Sequence, residues 1–153
     1  MDKADVPESF GVFKPVGHVV IAWRSAADLQ AGVDSLTAQG VDAATLVRYS
    51  PQEMIAQVDA QLPNVSPLAS LGQELNLIHA HRALAVAGCS FLVVPTDDDA
   101  RAALVGEVAH ALGAAAAQRY GRFIVEELIT ANAADTQHAE SPAKGLDLPT
   151  QAR

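Results

Sequence analysis

A strand–helix–strand pattern occurs twice along the chain, and this repeat constrains the fold more than any other sequence feature. The first copy spans residues 18–49 and the second spans residues 89–128. In the first copy, Ser25 is placed to cap the start of the helix and Gly40 to end it. Two such halves joined in one sheet predict an α/β (α+β) fold, the ferredoxin-like βαββαβ plait.

The apolar periodicity places the individual elements of this plait. Apolar runs and alternating residues predict the strands, at 18–23, 44–49, 90–94 and 118–128. The helices of the two halves are expected at 25–40 and 97–113, with Ala100, Ala103, Leu104, Val108, Ala111 and Leu112 as the buried face of the second. Two extra helices, at 51–61 and 71–87, are inserted between the halves, and Ser50 and Glu53 are placed to form a capping box at the start of the first. The alternative is a small doubly wound parallel sheet in which the 71–87 helix is a crossover.

The chain length predicts one domain. A chain of 153 residues has the usual size of a single domain, and the periodic pattern is confined to residues 16–130. Residues 1–15 contain two prolines and no helical period, which predicts an extended N-terminal lead-in. Residues 131–153 lack periodicity as well, which predicts a disordered or loosely docked tail.

Charge and cysteine content limit the partners and the compartment. The chain has 10 basic and 18 acidic residues, a net charge of −8, so it repels phosphate backbones and nucleic acid is not an expected partner. The single cysteine, Cys89, excludes an internal disulfide and fits a reducing compartment. No stretch approaches the roughly 20 apolar residues that span a bilayer. We therefore expect a cytoplasmic protein with no membrane partner.

Two pairs of residues have spacings that also occur in metal sites. His79 and His81 form an H-x-H pair, but on a helix two residues lie about 200° apart, so the rings point in opposite directions. We expect one boundary histidine, one exposed histidine and no shared metal ion. Glu107 and His110 have the E-x-x-H spacing of di-iron bundles, which need two such motifs and further carboxylates. A solvated helix face explains this single pair better.

The acidic run and the cysteine have structural explanations too. Asp97, Asp98 and Asp99 stand where a helix begins, and carboxylates there cap free N–H groups, so capping is favoured over cation binding. Cys89 is expected to be a structural thiol. Because no nucleotide-binding, hydrolase or zinc motif is found, we predict no cofactor, assign no catalytic residue, and leave open whether the chain is an enzyme.

The residues that could bind a ligand follow from the predicted plait. A plait covers one sheet face with helices and leaves the other open, and we expect that open face to carry arginine and tyrosine. Such a face suits a small anionic ligand or a partner sheet in a dimer, although ordinary strand-edge charge explains the same residues. Two nearby histidines could carry protons. The ligand-binding candidates are Arg122, Tyr120, Arg48, Tyr49, His79 and His81.

The first half of the chain resembles a known bacterial family. The strand at 18–23, the segment Ser25-Ala-Ala-Asp-Leu-Gln-Ala-Gly-Val-Asp-Ser-Leu-Thr-Ala-Gln-Gly40, and the following Thr45, Leu46 and Val47 resemble the general-stress-protein 17M-like family of uncharacterised small domains. The resemblance implies a ferredoxin-like fold and a stress-related role. It implies no catalytic residues.

Two functional hypotheses follow from the sequence. In the first, the domain is not an enzyme and acts through homo-oligomerisation, as a dimer, or through a protein partner, in a stress or regulatory role. In the second, it binds a small anionic ligand, or catalyses a reaction on one, using the open sheet face. A nucleic-acid binder is a third class, against which the net charge argues.

Overall fold

The computed structural model describes residues 8–9, 12–13, 16–61, 73–121 and 125–131. Within them lie four α-helices and a five-stranded antiparallel sheet, which confirms the mixed α/β class. In chain order the elements are β1 (Glu8–Ser9), β2 (Val12–Phe13), β3 (His18–Trp23), α1 (Ala26–Ala38), β4 (Val47–Tyr49), α2 (Pro51–Gln61), α3 (Gln73–Val86), β5 (Ser90–Pro95), α4 (Asp99–Ala111), β6 (Ala116–Tyr120) and β7 (Val125–Ile129).

The main sheet has the strand order β4-β5-β3-β6-β7, with β3 at its centre. Each neighbouring pair is antiparallel, and Val20 on β3 lies opposite both Val93 and Gln118. The alternative of a doubly wound parallel sheet is therefore wrong. Strand β5, which follows α3, runs antiparallel to β3. Helix α3 is therefore not the crossover between parallel strands that this alternative required.

Helices cover both faces of the sheet. Successive residues of a strand point to opposite faces, and the alternating residues of β3 divide between two separate apolar clusters. The α1/α4 core contains Val19, Ile21, Trp23, Leu29, Val33, Leu36, Val41, Leu92, Val94, Val105, Val108, Ala109, Ala114 and Ala117. The α2/α3 core contains Val20, Ala22, Val47, Tyr49, Met54, Val58, Leu77, Ile78, Leu84, Ala85, Cys89, Phe91, Val93, Ala115, Ala116, Tyr120 and Val125.

The predicted open sheet face does not exist in this arrangement. The two helices inserted between the halves lie over that face, and Val20, Phe91 and Val93 beneath them are at most 1% exposed. Tyr120, which was expected on that open face, is instead buried in the α2/α3 core. Because the inserted helices have apolar sides of their own, covering the face buries apolar surface of both the helices and the sheet.

Local capping signals were predicted correctly. The Ser25 hydroxyl accepts from the Asp28 N–H at 3.0 Å and begins α1. In front of α2, the Ser50 N–H donates to Glu53 Oε1 and the Glu53 N–H donates to Ser50 Oγ, a complete capping box. Gly40 follows the end of α1 with a φ of +98°, the left-handed conformation expected of it.

The second predicted strand, 44–49, is shorter than expected. Residues Ala43–Thr45 form a 3-10 turn, and the strand proper is Val47–Tyr49. The Asp42 carboxylate accepts from the Ala44 N–H at 2.9 Å, and this side-chain bond favours a turn over an extended chain. Within residues 1–15, β1 and β2 pair as a small antiparallel ladder.

The last predicted strand, 118–128, is in fact two strands. Strand β6 ends at Tyr120, and β7 returns beside it in the antiparallel direction, with Val125 opposite Tyr120. The alternation of apolar and polar residues is the same in a straight strand and in the two arms of a hairpin, so it could not distinguish them. The register shifts by one residue next to Ala117 and Gln118, a bulge in this edge pair.

The buried face of α4 was predicted wrongly apart from Val108, which is buried, and Leu104, which is half-buried against the α1/α4 core. Its buried residues are Ala102, Val105, Val108 and Ala109, and only Val108 was among those expected. The tail at 131–153 lies outside the described residues except for Ala131, and the domain limits stay predictions.

Candidate functional site

The most unusual polar pair of the fold lies inside the α2/α3 core. Helix α3 carries His81, which is 3% exposed, and β6 carries Gln118, which is also 3% exposed. His81 Nε2 lies 3.0 Å from Gln118 Oε1. Because a carbonyl oxygen can only accept, Nε2 carries the proton and donates. This bond joins the covering helix to the sheet beneath it.

Aromatic rings enclose the His81 imidazole. The ring meets Phe91 edge-on, with the centroids 5.7 Å apart, and lies 6.5 Å from the ring of Tyr120. Burial lowers the pKa of His81 below its ordinary value of 6.5, and the hydrogen bond that His81 donates to Gln118 opposes this shift only in part. The imidazole is therefore neutral at neutral pH.

The two histidines of the H-x-H pair lie on different sides of α3, as the helical spacing requires. His79 is exposed and His81 is buried. They cannot hold one metal ion together. More generally, no group of three or more His, Cys, Asp and Glu in the described part of the chain is arranged to hold a metal.

The predicted arginine and tyrosine candidates are separated by the sheet. Tyr49 and Tyr120 are both buried in the α2/α3 core. Arg48 points the other way, where its Nη1 donates to Gln30 Oε1 of α1 at 2.6 Å. Arg122 lies outside the described residues. The structure thus brings His81 and Tyr120 together but places Arg48 on the opposite face from Tyr120.

Two adjoining grooves open beside the β6–β7 pair. The Tyr120 groove has a volume of about 360 Å³ and is lined by Val16, Gly17, Thr96, Asp97, Arg119, Tyr120, Gly121 and Glu126. The α4 groove, of about 460 Å³, is lined by Asp99, Ala102, Ala103, Gly106, Glu107, His110, Arg119, Glu126 and Leu128. Arg119 and Glu126 line both grooves, so the two form one continuous surface.

This surface is acidic. Arg119 is already engaged, because its Nη1 lies 2.9 Å from Asp99 Oδ1. Apart from that pair, the walls carry Asp97, Glu107 and Glu126. Arg119 and Glu126, which face each other across the β6–β7 pair, were not among the predicted site residues. Recognising the turn after Tyr120 would have placed them opposite one another.

The remaining candidates have the structural roles expected of them, or remain without a role. Asp98 caps α4 by accepting from the Arg101 N–H at 2.8 Å, so capping explains this part of the acidic run. Glu107 and His110 are both exposed and line the α4 groove. Cys89 is a buried thiol within the α2/α3 core.

Comparisons with known proteins give no relative. No protein-family model matches the chain, and searches of curated proteins and of solved structures returned no similar chain. None of the helices that the structure describes is long and apolar enough to cross a membrane.

Proposed function

We propose that the chain is a protein-association domain that receives an extended, basic segment of a partner along the outer edge of β7. One observation carries this proposal: β7 is the last strand of the sheet and pairs, among the strands that the structure describes, with β6 alone. The outer edge of a sheet can accept another strand by main-chain hydrogen bonds.

The charge of this edge selects the partner. Glu126 and Glu127 are exposed on β7, and Glu107 is exposed on the helix beside it. If a second copy paired with β7 in the antiparallel direction, the Glu127 side chains of the two copies would lie near each other. Repulsion between these like charges disfavours such a dimer. A partner strand with lysine or arginine would instead form opposite-charge pairs, and the net charge of −8 would speed its encounter.

The other edge of the sheet is less suited to the same role. Strand β4 has three residues, whereas β7 has five. Its central residue, Arg48, is held by Gln30 of α1. Short edge strands offer few hydrogen bonds to an incoming chain, so the proposal assigns partner binding to β7.

The fold and the biological role belong to the same proposal. The order β4-β5-β3-β6 supports a ferredoxin-like plait, to which β7 adds an edge strand and α2 and α3 add a cover. A homodimer, a stress-related or regulatory role and a cytoplasmic location stay predictions from the sequence. Native mass spectrometry of the chain would detect a homodimer.

A second candidate function is a small-molecule site in the Tyr120 groove. Its volume of about 360 Å³ and the polar side chains of Thr96 and Arg119 favour this alternative. An anionic ligand is disfavoured, because Arg119 is paired with Asp99 while Asp97 and Glu126 add negative charge. The groove suits a neutral or cationic molecule better.

Fluorescence anisotropy tests the proposed edge. The probe is a labelled ten-residue peptide of alternating lysine and valine, and a peptide of alternating glutamate and valine is its control. We expect binding of the basic peptide only, weakened severalfold by Glu127→Lys. Asp34→Lys makes the same charge change on exposed α1 and should weaken binding much less.

Three outcomes would count against this proposal. Equal loss of binding in Glu127→Lys and Asp34→Lys would show a general charge effect rather than an edge site. Absence of binding by the basic peptide would overturn the proposal directly. A dimer in native mass spectrometry with newly protected β7 amides would assign the edge to a second copy.

A further inference from the structure

The two cores of the molecule are separate, and only one of them depends on a buried titratable group. Helices α1 and α4 pack on one sheet face around Trp23, and α2 and α3 pack on the other. The first core is built from aliphatic residues and one indole. The second includes the buried imidazole of His81 at the point where α3 meets β5 and β6.

Three neutral side chains of the sheet contact this imidazole. Strand β6 presents Gln118 and Tyr120, and β5 presents Phe91. Helix α2 contributes Met54 and Val58 to the same core. Burying an imidazolium ion in such surroundings costs far more than burying the neutral ring.

The charged groups that join α2 to α3 lie at the surface, away from this core. Asp59 of α2 receives hydrogen bonds from Arg82 of α3 at 2.8 and 3.2 Å, and both side chains are exposed. Helices α2 and α3 also pack closely against each other, and the Arg82–Asp59 pair adds a surface contact between them. We therefore expect α2 and α3 to leave or cover the sheet as one layer.

We propose that the α2–α3 layer is an acid-released cover, in which protonation of His81 detaches it from β5 and β6 while the α1/α4 core stays folded. Release exposes the sheet face that carries Phe91, Gln118 and Tyr120. The strands then keep one complete apolar core, because α1 and α4 still cover the other face. This inference does not depend on the proposed partner of β7.

The direction of the pH effect follows from linkage. Burial holds the pKa of His81 below its ordinary value of 6.5, so the closed form favours the neutral ring. In the released form the imidazole is solvated and takes up a proton near the ordinary value. As pH falls below 6.5, the released population therefore grows by up to tenfold per pH unit, until the lowered pKa of the closed form is reached.

Hydrogen exchange of the full chain between pH 7.5 and 5.0 tests this cover. Protection factors, corrected for intrinsic exchange rates, should fall by up to tenfold per pH unit below 6.5 at α3 residues 76–86. Those of α1 residues 29–36 should stay constant, and so should the emission of Trp23, which is fully buried in the other core. Histidine is the side chain whose ordinary pKa lies within this range, so variants of single histidines can assign the response.

Matched variants assign the response to one histidine. His81→Gln should abolish the pH dependence of α3 protection, because glutamine does not titrate. His79→Gln makes the same change two residues away on the exposed side of α3 and should leave the dependence intact. His18 and His110 lie outside the α2/α3 core and serve as further controls.

Constant protection of α3 in the wild-type chain would overturn the proposal, as would loss of α1 and α3 protection in a single step. A pH dependence retained in His81→Gln would do the same. If His81→Gln does not fold, an NMR titration of the wild-type imidazole decides the question. A ring that titrates at its ordinary pKa while α3 stays protected contradicts the cover, and a ring that titrates together with α3 release supports it.

Discussion

Gly32 of α1 lies directly against the indole ring of Trp23. A β-carbon built on this glycine would stand 2.7 Å from Trp23 Cζ2 and closer still to Cη2, distances that atoms in contact do not reach. The indole is fully buried at the end of β3 and cannot move aside without disturbing the α1/α4 core. The absence of a side chain at Gly32 thus sets how closely α1 approaches the sheet.

The Gly32→Ala substitution should therefore destabilise the chain. Overpacking of this kind costs about 1–3 kcal/mol in the free energy of unfolding. Gly106→Ala on α4 is the matched control, because its β-carbon would meet only Leu128 Cδ1, at an ordinary 3.7 Å. That control should be neutral, or stabilising by up to about 1 kcal/mol through helix propensity. Urea denaturation measures both, and equal effects would refute the close-approach argument.

Replacing Gln118 tests the buried hydrogen bond to His81. Gln118→Met keeps the side-chain length but removes the acceptor, which leaves the Nε2–H of His81 without its acceptor in the core. We expect a loss of about 1–3 kcal/mol in the free energy of unfolding at pH 7.5. Gln39→Met, on an exposed residue, should change it by less than about 0.5 kcal/mol. Equal stability of Gln118→Met and wild type would show that the bond contributes nothing.

The capping box of α2 gives a local prediction. Ser50→Ala removes the hydroxyl that accepts from the Glu53 N–H at 3.1 Å. We expect the free energy of unfolding to fall by about 1 kcal/mol. Ser35→Ala makes the same change in the last turn of α1, where alanine is the better helix former, so it should be neutral or stabilising. In chemical denaturation, the changes in the free energy of unfolding of the two variants should differ in sign or size. Equal losses of stability in both variants would contradict the cap.

The surface pair between α2 and α3 should contribute little. The hydrogen bond and the charge of Arg82 lower the pKa of Asp59, so the pair stabilises the chain above the ordinary aspartate value of 3.8 and loses this effect as pH falls through the lowered pKa. Asp59→Asn should reduce stability slightly at pH 7 and low salt. High salt should shrink the difference. A large, salt-independent loss would mean that this pair is more than a surface contact.

Local features of the fold were predictable from sequence because they depend on neighbours in the chain. The caps at Ser25 and Ser50 and the glycine at Gly40 each act within a few residues, and all three are found where expected. A local signal was overlooked at Asp42. Its carboxylate forms a turn, but the alternation of residues 44–49 was interpreted as a strand that begins at residue 44. Helix α4 is rich in alanine, so its sequence offers too little difference in hydropathy between the sides of the helix to identify the buried face.

Covering of the second sheet face depends on contacts between distant segments. A signal for it was present, because the runs at 18–23 and 90–94 are apolar on both alternating sides, which is typical of strands buried on both faces. The expectation of an open plait face outweighed this signal. The pairing of His81 with Gln118 joins residues 37 apart, and no spacing rule predicts it.

The most direct test of the association proposal is an NMR titration of the ¹⁵N-labelled chain with the basic lysine–valine peptide. We predict that the largest amide shifts lie in β7, at residues 125–129, and that Glu127→Lys weakens them. Shifts confined to the Tyr120 groove, around Gly17 and Thr96, or no shifts at all, would contradict the assignment of β7 as the binding edge.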